Sequence, residues 1–385
     1  MPLSPTVRRL GLVSLLTDAS SEMIYPLLPA FVTGVLHAGP AFLGLVEGVA
    51  EAVASLLKIA SGALSDRVQR RKRLVFGGYL LSSVARPLMA LATAPVHVLV
   101  VRFCDRVGKG VRSAPRDALI AEAVDARERG RAYGFHRAMD NGGAVLGPLF
   151  ASAALGAGLG LRVVFALAVV PGLASLLVLG LGVRDAPRPV AAASGATTGE
   201  ASSPAFRRYL AVLGLFTLGN SSDAFLILRA QEMGIGVALV PLLWMLHNGV
   251  KALFGTHGGV FSDRFGRRQG ILTGWVFYAI SYLGFALARA RWQVWALFAL
   301  YGLYHALSEG AERALVADLA ASAARGRAFG LYHAVTGAAL LPASLLTGLL
   351  WQRYGAEAAL VTGAGLAGLA ALGLLLLVPA RPAAA

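Results

Sequence analysis

The sequence predicts an all-α membrane protein of twelve transmembrane helices, arranged as two pseudo-symmetric six-helix bundles. Three observations carry this. Of 385 residues, 57% are hydrophobic and only 14% charged, a balance too apolar for a soluble domain of this size. Apolar runs of about 20 residues recur along the chain, each long enough at ~1.5 Å per helical residue to cross a ~30 Å hydrocarbon core. Blocks from the first half also return in the second half at a nearly constant offset.

The first stretch, residues 8–35, opens behind Arg8 and Arg9 like a signal peptide. It runs on past Asp18 and Glu22 to Val35 without a small-residue cleavage site, so it is expected to stay as the first membrane helix. Glycine, proline and charge clusters then bound stretches at 40–65, 74–93, 96–116, 130–155 and 161–183. Residues 184–205, rich in Ala, Ser, Gly, Thr and Pro, cannot bury enough apolar surface to fold alone and are expected to be a flexible linker. The second set follows at 206–229, 236–260, 270–289, 292–315, 326–350 and 355–378. The expected domains are therefore 1–183, the linker 184–205, and 206–385. Arginine and lysine concentrate in alternate loops, among them 67–73, 127–131, 184–208 and 264–268. By the positive-inside bias, both termini and the linker are expected on the cytoplasmic face of the cell membrane.

The net charge of +15 does not point to nucleic acid, because the basic residues sit in short loops instead of forming one basic domain. Cys104, the single cysteine, lies in an apolar run and has no partner for a disulfide or thiolate metal site. Gly108-Lys109-Gly110 lacks the glycine that a phosphate loop needs five residues before its lysine, and there is no nucleophile elbow. No enzyme activity and no cofactor are expected.

The repeat is concrete. Gly62-Ala-Leu-Ser-Asp66-Arg67-Val-Gln-Arg70-Arg71-Lys72 returns as Gly259-Val-Phe-Ser-Asp263-Arg264-Phe-Gly-Arg267-Arg268-Gln269, 197 positions on (263 less 66). Ala118-Leu-Ile-Ala-Glu122 returns as Ala314-Leu-Val-Ala-Asp318, and Arg129-Gly-Arg131-Ala-Tyr-Gly134 as Arg325-Gly-Arg327-Ala-Phe-Gly330, both at 196 (318 less 122). Ser20-Ser21-Glu22 faces Ser221-Ser222-Asp223, so the correspondence extends across most of both halves.

These residues resemble the major facilitator superfamily, whose loop between the second and third helices carries G-x-L-x-D-R-x-G-R-[RK]. Gly62, Leu64, Asp66, Arg67, Arg70 and Arg71 fit it, with Gln69 in place of a glycine; the second copy keeps Gly266 but has Phe261 for the leucine. The resemblance spans the whole chain and implies the major facilitator fold and a secondary transporter. It assigns Gly62, Asp66, Arg67, Arg70, Asp263 and Arg264 to a conformational gate, in which Asp66 at a helix end pairs with basic groups until the pairing is broken. The arginines of that loop could equally be solvated topology determinants. The fourth helix resembles R-F-x-Q-G-x-G in Arg102, Phe103 and Gly108, with Asp105 and Arg106 replacing the Gln-Gly pair. The fifth resembles the antiporter pattern G-x8-G-x3-G-P-x2-G-G in Gly134, Gly143, Gly147 and Pro148, although Ala151 and Ser152 replace the last glycines. In the antiporter branch this pattern accompanies export; a closely packed helix would use similar residues.

Ionisable residues inside the predicted helices are the main functional signal. Asp18 and Glu22, four apart on one helix face, fall ~14 to 20 Å along the first helix, near the bilayer middle. Two carboxylates so placed disfavour double ionisation and make a candidate proton site, or in principle a cation site. Glu51, Arg86, Arg102, Asp105, Arg106 and Asp140 fall in the middle third by similar counting. Arg102, Arg106, Lys109, Ser113 and Arg116 form a polar stripe on the fourth helix. An ionised side chain against lipid costs at least ~2.5 to 3.5 kcal/mol, so these groups need water or partners: a central aqueous cavity, or fixed ion pairs. The second half offers Asn220, Asp223, His247, Asn248, Lys251, His305 and Glu309, its histidines expected as packing groups and no metal site recognisable from spacing.

The reading favoured by the sequence is a monomer in the lipid bilayer that moves a small-molecule solute by alternating access, driven by protons at Asp18 or Glu22 and relayed through Asp105 or Asp140, in the direction of export. The alternative in the same class is a proton symporter importing a charged nutrient or organic anion, which a cavity rich in Arg86, Arg102, Arg106 and Lys109 would suit. A non-transporting membrane protein is the alternative outside it and would leave the buried charges unexplained.

Overall fold

Every regular element among the described residues is helical, as long apolar segments require, since inside a bilayer a helix satisfies its own backbone N–H and C=O groups. The computed structural model describes residues 3–68, 70–125, 128–183, 203–320 and 325–379, the side chains of Asp66, Arg67, Arg325 and Gly326 excepted.

The twelve spans follow the expected order. The first is an α-helix, Pro5–Glu22, followed by a 3-10 turn at Tyr25–Leu27 and a π-helical turn at Ala30–Val35; Pro26 and Pro29 withhold the backbone donors that a continuous α-helix would use. Next come Pro40–Arg67, then Arg71–Ala85 with a 3-10 extension Arg86–Leu91, then Pro95–Glu122 and Arg129–Gly156. The sixth span is built from Leu161–Leu167, Val169–Leu177 and Val178–Gly182. The seventh is broken into Pro204–Gly219 and Ala224–Glu232; the eighth, ninth and tenth are Val240–Phe265, Arg267–Leu287 and Arg291–Leu319. The last two form one helical run, Arg325–Leu377, that turns at Gly355, where φ is 87°, a backbone state a glycine adopts without steric cost.

Several helices outrun their apolar stretches. The fourth extends to Glu122 instead of about residue 116, and the eighth to Phe265 instead of about 260. Hydropathy marks only the part that meets lipid, whereas the good helix formers Ala118, Leu119, Ala121 and Glu122 carry the fourth helix on past its charged residues. Among the described residues, five stretches are long and apolar enough to cross a membrane by length and composition alone: Arg71–Leu91, Leu161–Gly182, Pro204–Glu232, Arg267–Leu287 and Arg327–Leu377. The spans outside this set carry most of the ionisable residues singled out above.

The ninth span shows how one helix serves two solvents. Trp275, Tyr278, Tyr282 and Phe285 are buried at steps of three and four, while Val276, Ile280, Leu283 and Leu287 are exposed on the other face. Exposed leucines on this scale suit acyl chains, not water.

By their contacts the residues divide into two compact units, one of 1–38, 49–194 and 236–245 and one of 39–48, 195–235 and 246–385. In the first, the third and fourth spans cross at two glycines: a Cβ on Gly78 would lie 2.6 Å from the Gly108 carbonyl oxygen, and one on Gly108 would lie 2.5 Å from that of Gly78. In the second unit the corresponding crossing seats Gly274 against Ser308. Small residues let helices approach where lipid supplies no hydrophobic drive between them.

Candidate solute and ion site

The first span stops being α-helical directly after Glu22, and the seventh resumes directly after Asp223. These are the two ends of the matched Ser-Ser-acid blocks, so both halves break a helix beside a carboxylate at the same point of the repeat.

In the first unit, Asp18 and Glu22 lie on the face of Pro5–Glu22 that the fifth span covers. A Cβ on Gly143 would come within 2.8 Å of the Asp18 Cβ, and one on Gly147 within 2.9 Å of the Glu22 Cβ. Both positions also abut the first helix's backbone, at Leu15 O and Ala19 O, each 2.5 Å from the added atom. Glycine at 143 and 147 is therefore what lets the fifth span reach the two acids, and Pro148 follows it inside the helix. Gly134, the first position of that motif, has open space around it. Trp244 Nε1 donates to Glu22 Oε2 at 2.5 Å, and its ring packs 5.1 Å from that of Tyr25. Asp18 is half-buried, within electrostatic range of Asp140, Lys109, Arg112 and Arg116. Asp140 accepts a hydrogen bond from Ser14 and lies 3.5 Å from His136 Nδ1.

A second cluster in the same unit is built around Asp105. Arg86, where the third span tightens ahead of Pro87, donates through Nε to Asp105 Oδ1 at 2.8 Å and through Nη1 to the Thr17 carbonyl at 2.9 Å. Arg102 Nη1 lies 3.8 Å from Asp105 Oδ2, and its guanidinium sits 5.4 Å from the Tyr25 ring centre. Arg106 pairs with Glu51 across 3.1 Å. Arg112 donates to Ser82 Oγ at 2.6 Å and stacks over Tyr79 at 4.6 Å. Arg86, Arg102, Asp105, Arg106 and Arg112 are all buried, and a small cavity is lined by Ser21, Arg86, Arg102 and Asp105. Of the predicted stripe, Arg102 and Arg106 thus stand in ion pairs, Lys109 is exposed, and Arg116 pairs with its neighbour Asp117 at 2.8 Å.

The second unit has the same helices with different chemistry. Asp223 takes a hydrogen bond from Tyr301 OH at 2.5 Å, and Tyr301 belongs to an aromatic group with Tyr278, Tyr282 and Tyr304. The eighth and tenth spans bring His247 and His305 beside it, their rings 5.2 Å apart. One turn on, Glu309 binds Lys251 at 2.7 Å. Glu312 is buried, receiving Trp275 Nε1 and Tyr332 OH, each at 3.0 Å.

At the loop repeat, Asp263 pairs with Arg267, whose Nε also lies 3.4 Å from Asp318. In the first half Arg71 pairs with Glu122 at 2.5 Å. Glu122 and Asp318 are repeat partners, so each half ties its second–third loop to the far end of its fourth helix, through neighbouring arginines of the motif. Arg70 and Arg264 are exposed, Gly62 is near only Ala114, and the side chains of Asp66 and Arg67 lie outside the described residues.

A family model for the Major Facilitator Superfamily matches residues 10–247 and 209–385. The chain belongs to the major facilitator superfamily. An uncharacterized MFS-type transporter of Methanocaldococcus jannaschii is 36% identical over 376 residues, 94% of each chain. The multidrug resistance protein MdtH of Aeromonas hydrophila is 25% identical over 340 residues, 84% of this chain and 83% of that one. Among solved structures, the nucleoside transporter NupG superposes with a TM-score of 0.84 at 12% identity, covering 97% of this chain and all of the other, which speaks to fold alone. Members of the superfamily carry small-molecule solutes across membranes, and the chain is accordingly a multi-pass membrane transporter.

Several buried polar groups lie outside the sequence expectations. Glu47, fully buried, accepts from Ser222 Oγ at 3.3 Å, and Trp244 reaches Glu22; neither pairing has a local spacing that would betray it. Glu312 did have a signal, since His305, Glu309 and Glu312 recur at four and three along one helix face. Arg112 continues the Arg102–Arg106 series in the same way.

Proposed function

We propose that this transporter exports a small organic solute in exchange for protons by alternating access, in the cell membrane with both termini cytoplasmic. One observation carries the reading: both halves break a membrane helix beside a carboxylate, Glu22 and Asp223, and glycines of the antiporter-like motif bring the fifth helix onto Asp18 and Glu22. Broken helices at matching repeat positions are where secondary transporters bind solute and coupling ion. A half-buried carboxylate with an acidic neighbour is suited to take up and release a proton as its surroundings alternate. The relative named multidrug resistance protein MdtH supports the direction of export. In this reading Asp18 and Glu22 exchange the proton, Asp140 relays it, and Arg86 with Asp105 holds the first, third and fourth spans together. The loop ion pairs Arg71–Glu122 and Arg267–Asp318 serve the gate.

The buried arginines favour a second reading, a symporter of organic anions. A thermal-shift screen of cationic, neutral and anionic solutes on the purified protein, followed by flux of each hit in inside-out and right-side-out vesicles under an imposed pH gradient, separates them. Proton-driven accumulation of a hit in inside-out vesicles supports export. Accumulation of anions alone in right-side-out vesicles replaces it with import.

A further inference from the structure

The second unit gathers two histidines and a carboxylate from distant parts of the chain at one place. Asp223, His247 and His305 each place one ligand atom so that all three lie within 4.8 Å of one another. They come from three separate places, the break in the seventh span, the eighth span and the tenth span. We propose that these residues form a binding site for one divalent first-row transition-metal cation of the zinc class.

Two imidazoles with one carboxylate are the donors such a cation prefers, whereas calcium and magnesium take oxygen shells. Metal–ligand bonds of about 2.0–2.2 Å place tetrahedral ligand atoms roughly 3.3 Å apart, so closure by small side-chain rotations completes the site. The surroundings are those that orient ligands. Tyr301 OH holds Asp223 Oδ1 at 2.5 Å, and its ring stacks on His247 with centroids 5.1 Å apart and planes 27° from parallel. His247 also gives a hydrogen bond to the backbone of Phe298, which fixes which ring nitrogen turns elsewhere. Glu309, already bound to Lys251, lies 3.8 Å from His305 Nδ1, the carboxylate–histidine arrangement that supports a ligating imidazole. Asp223 also offsets one unit of a divalent charge in a setting where an uncompensated one would be costly.

The test uses the full chain, purified in detergent without a histidine tag and stripped of metal, titrated with Co2+ and then with competing Zn2+. One equivalent of Co2+ giving visible d–d absorption that Zn2+ displaces, together with a rise in melting temperature with Zn2+, is the expected result. His247→Gln and His305→Gln each abolish saturable binding, Glu309→Gln weakens it about 10–100-fold, and His257→Gln, at an exposed position of the eighth span, leaves it unchanged. Melting curves without metal show whether each variant is folded. The proposal is overturned if the wild-type chain gives neither absorption nor a thermal shift, or if folded His247→Gln and His305→Gln variants bind as the wild type does. Because binding is read without solute, failure here leaves the proposed transport activity untouched, and failure of that activity leaves this site untouched.

Discussion

Asp105 receives Arg86 at 2.8 Å and Arg102 at 3.8 Å in a buried setting, and Arg86 also reaches the Thr17 carbonyl, so three spans meet at one carboxylate. Removing one partner of such a pair leaves an uncompensated buried charge, at a cost of about 3–5 kcal/mol. Arg86→Ala and Asp105→Asn are therefore expected to lower the melting temperature in detergent sharply, and a double replacement by apolar residues, Arg86→Met with Asp105→Leu, to recover most of it. A double variant that is as stable as the wild type and still transports would show that the pair acts only as structure. Asp18 and Glu22 are a different kind of acid, half-buried and joined to no basic group by a short ion pair among the described contacts. The residue types of both clusters could be read from the sequence, but not that Arg86 meets Asp105 or that Trp244 meets Glu22, because these partners lie 19 and 222 positions apart on different helices.

The elements themselves were visible in outline. Apolar length and the alternation of basic loops give the count and order of the spans, and the repeat gives their division into two sets. The fourth and eighth helices run past their hydropathy limits, and the breaks after Glu22 and before Ala224 leave no hydropathy trace. Pro26 and Pro29 explain the first; the second, at Asn220–Asp223, has no proline and rests on side-chain contacts, Asn220 to Tyr304 and Asp223 to Tyr301. The glycines of the fifth span are the clearest case of sequence dictating packing. Gly143→Leu and Gly147→Leu must push the first and fifth helices apart, an overpacking cost of about 1–3 kcal/mol, and should reduce transport with the loss of stability. Gly134→Ala, with nothing near its new methyl group, should change neither. Equal effects at all three positions, in melting and flux assays, would contradict a packing role specific to 143 and 147.

Taken whole, one duplicated six-helix plan carries two chemistries. The first unit concentrates arginine–carboxylate pairs and the second tyrosine, histidine and buried glutamate, although the backbones of both follow the same repeat. On the proposed function, proton exchange falls to the first half, and by the inference above the second half holds a metal cation. The most direct test of proton exchange at the first helix is the pH change inside solute-loaded proteoliposomes, followed with a trapped fluorescent dye, for the wild type, Asp18→Asn and Glu22→Gln. Because antiport carries protons inward as solute leaves, outward solute flow should acidify the lumen in step with the wild-type flux, and at least one of the two variants should move solute down its gradient with no accompanying proton movement; an alkaline shift would mean symport. Proton movement that persists unchanged in both folded variants would contradict the assignment.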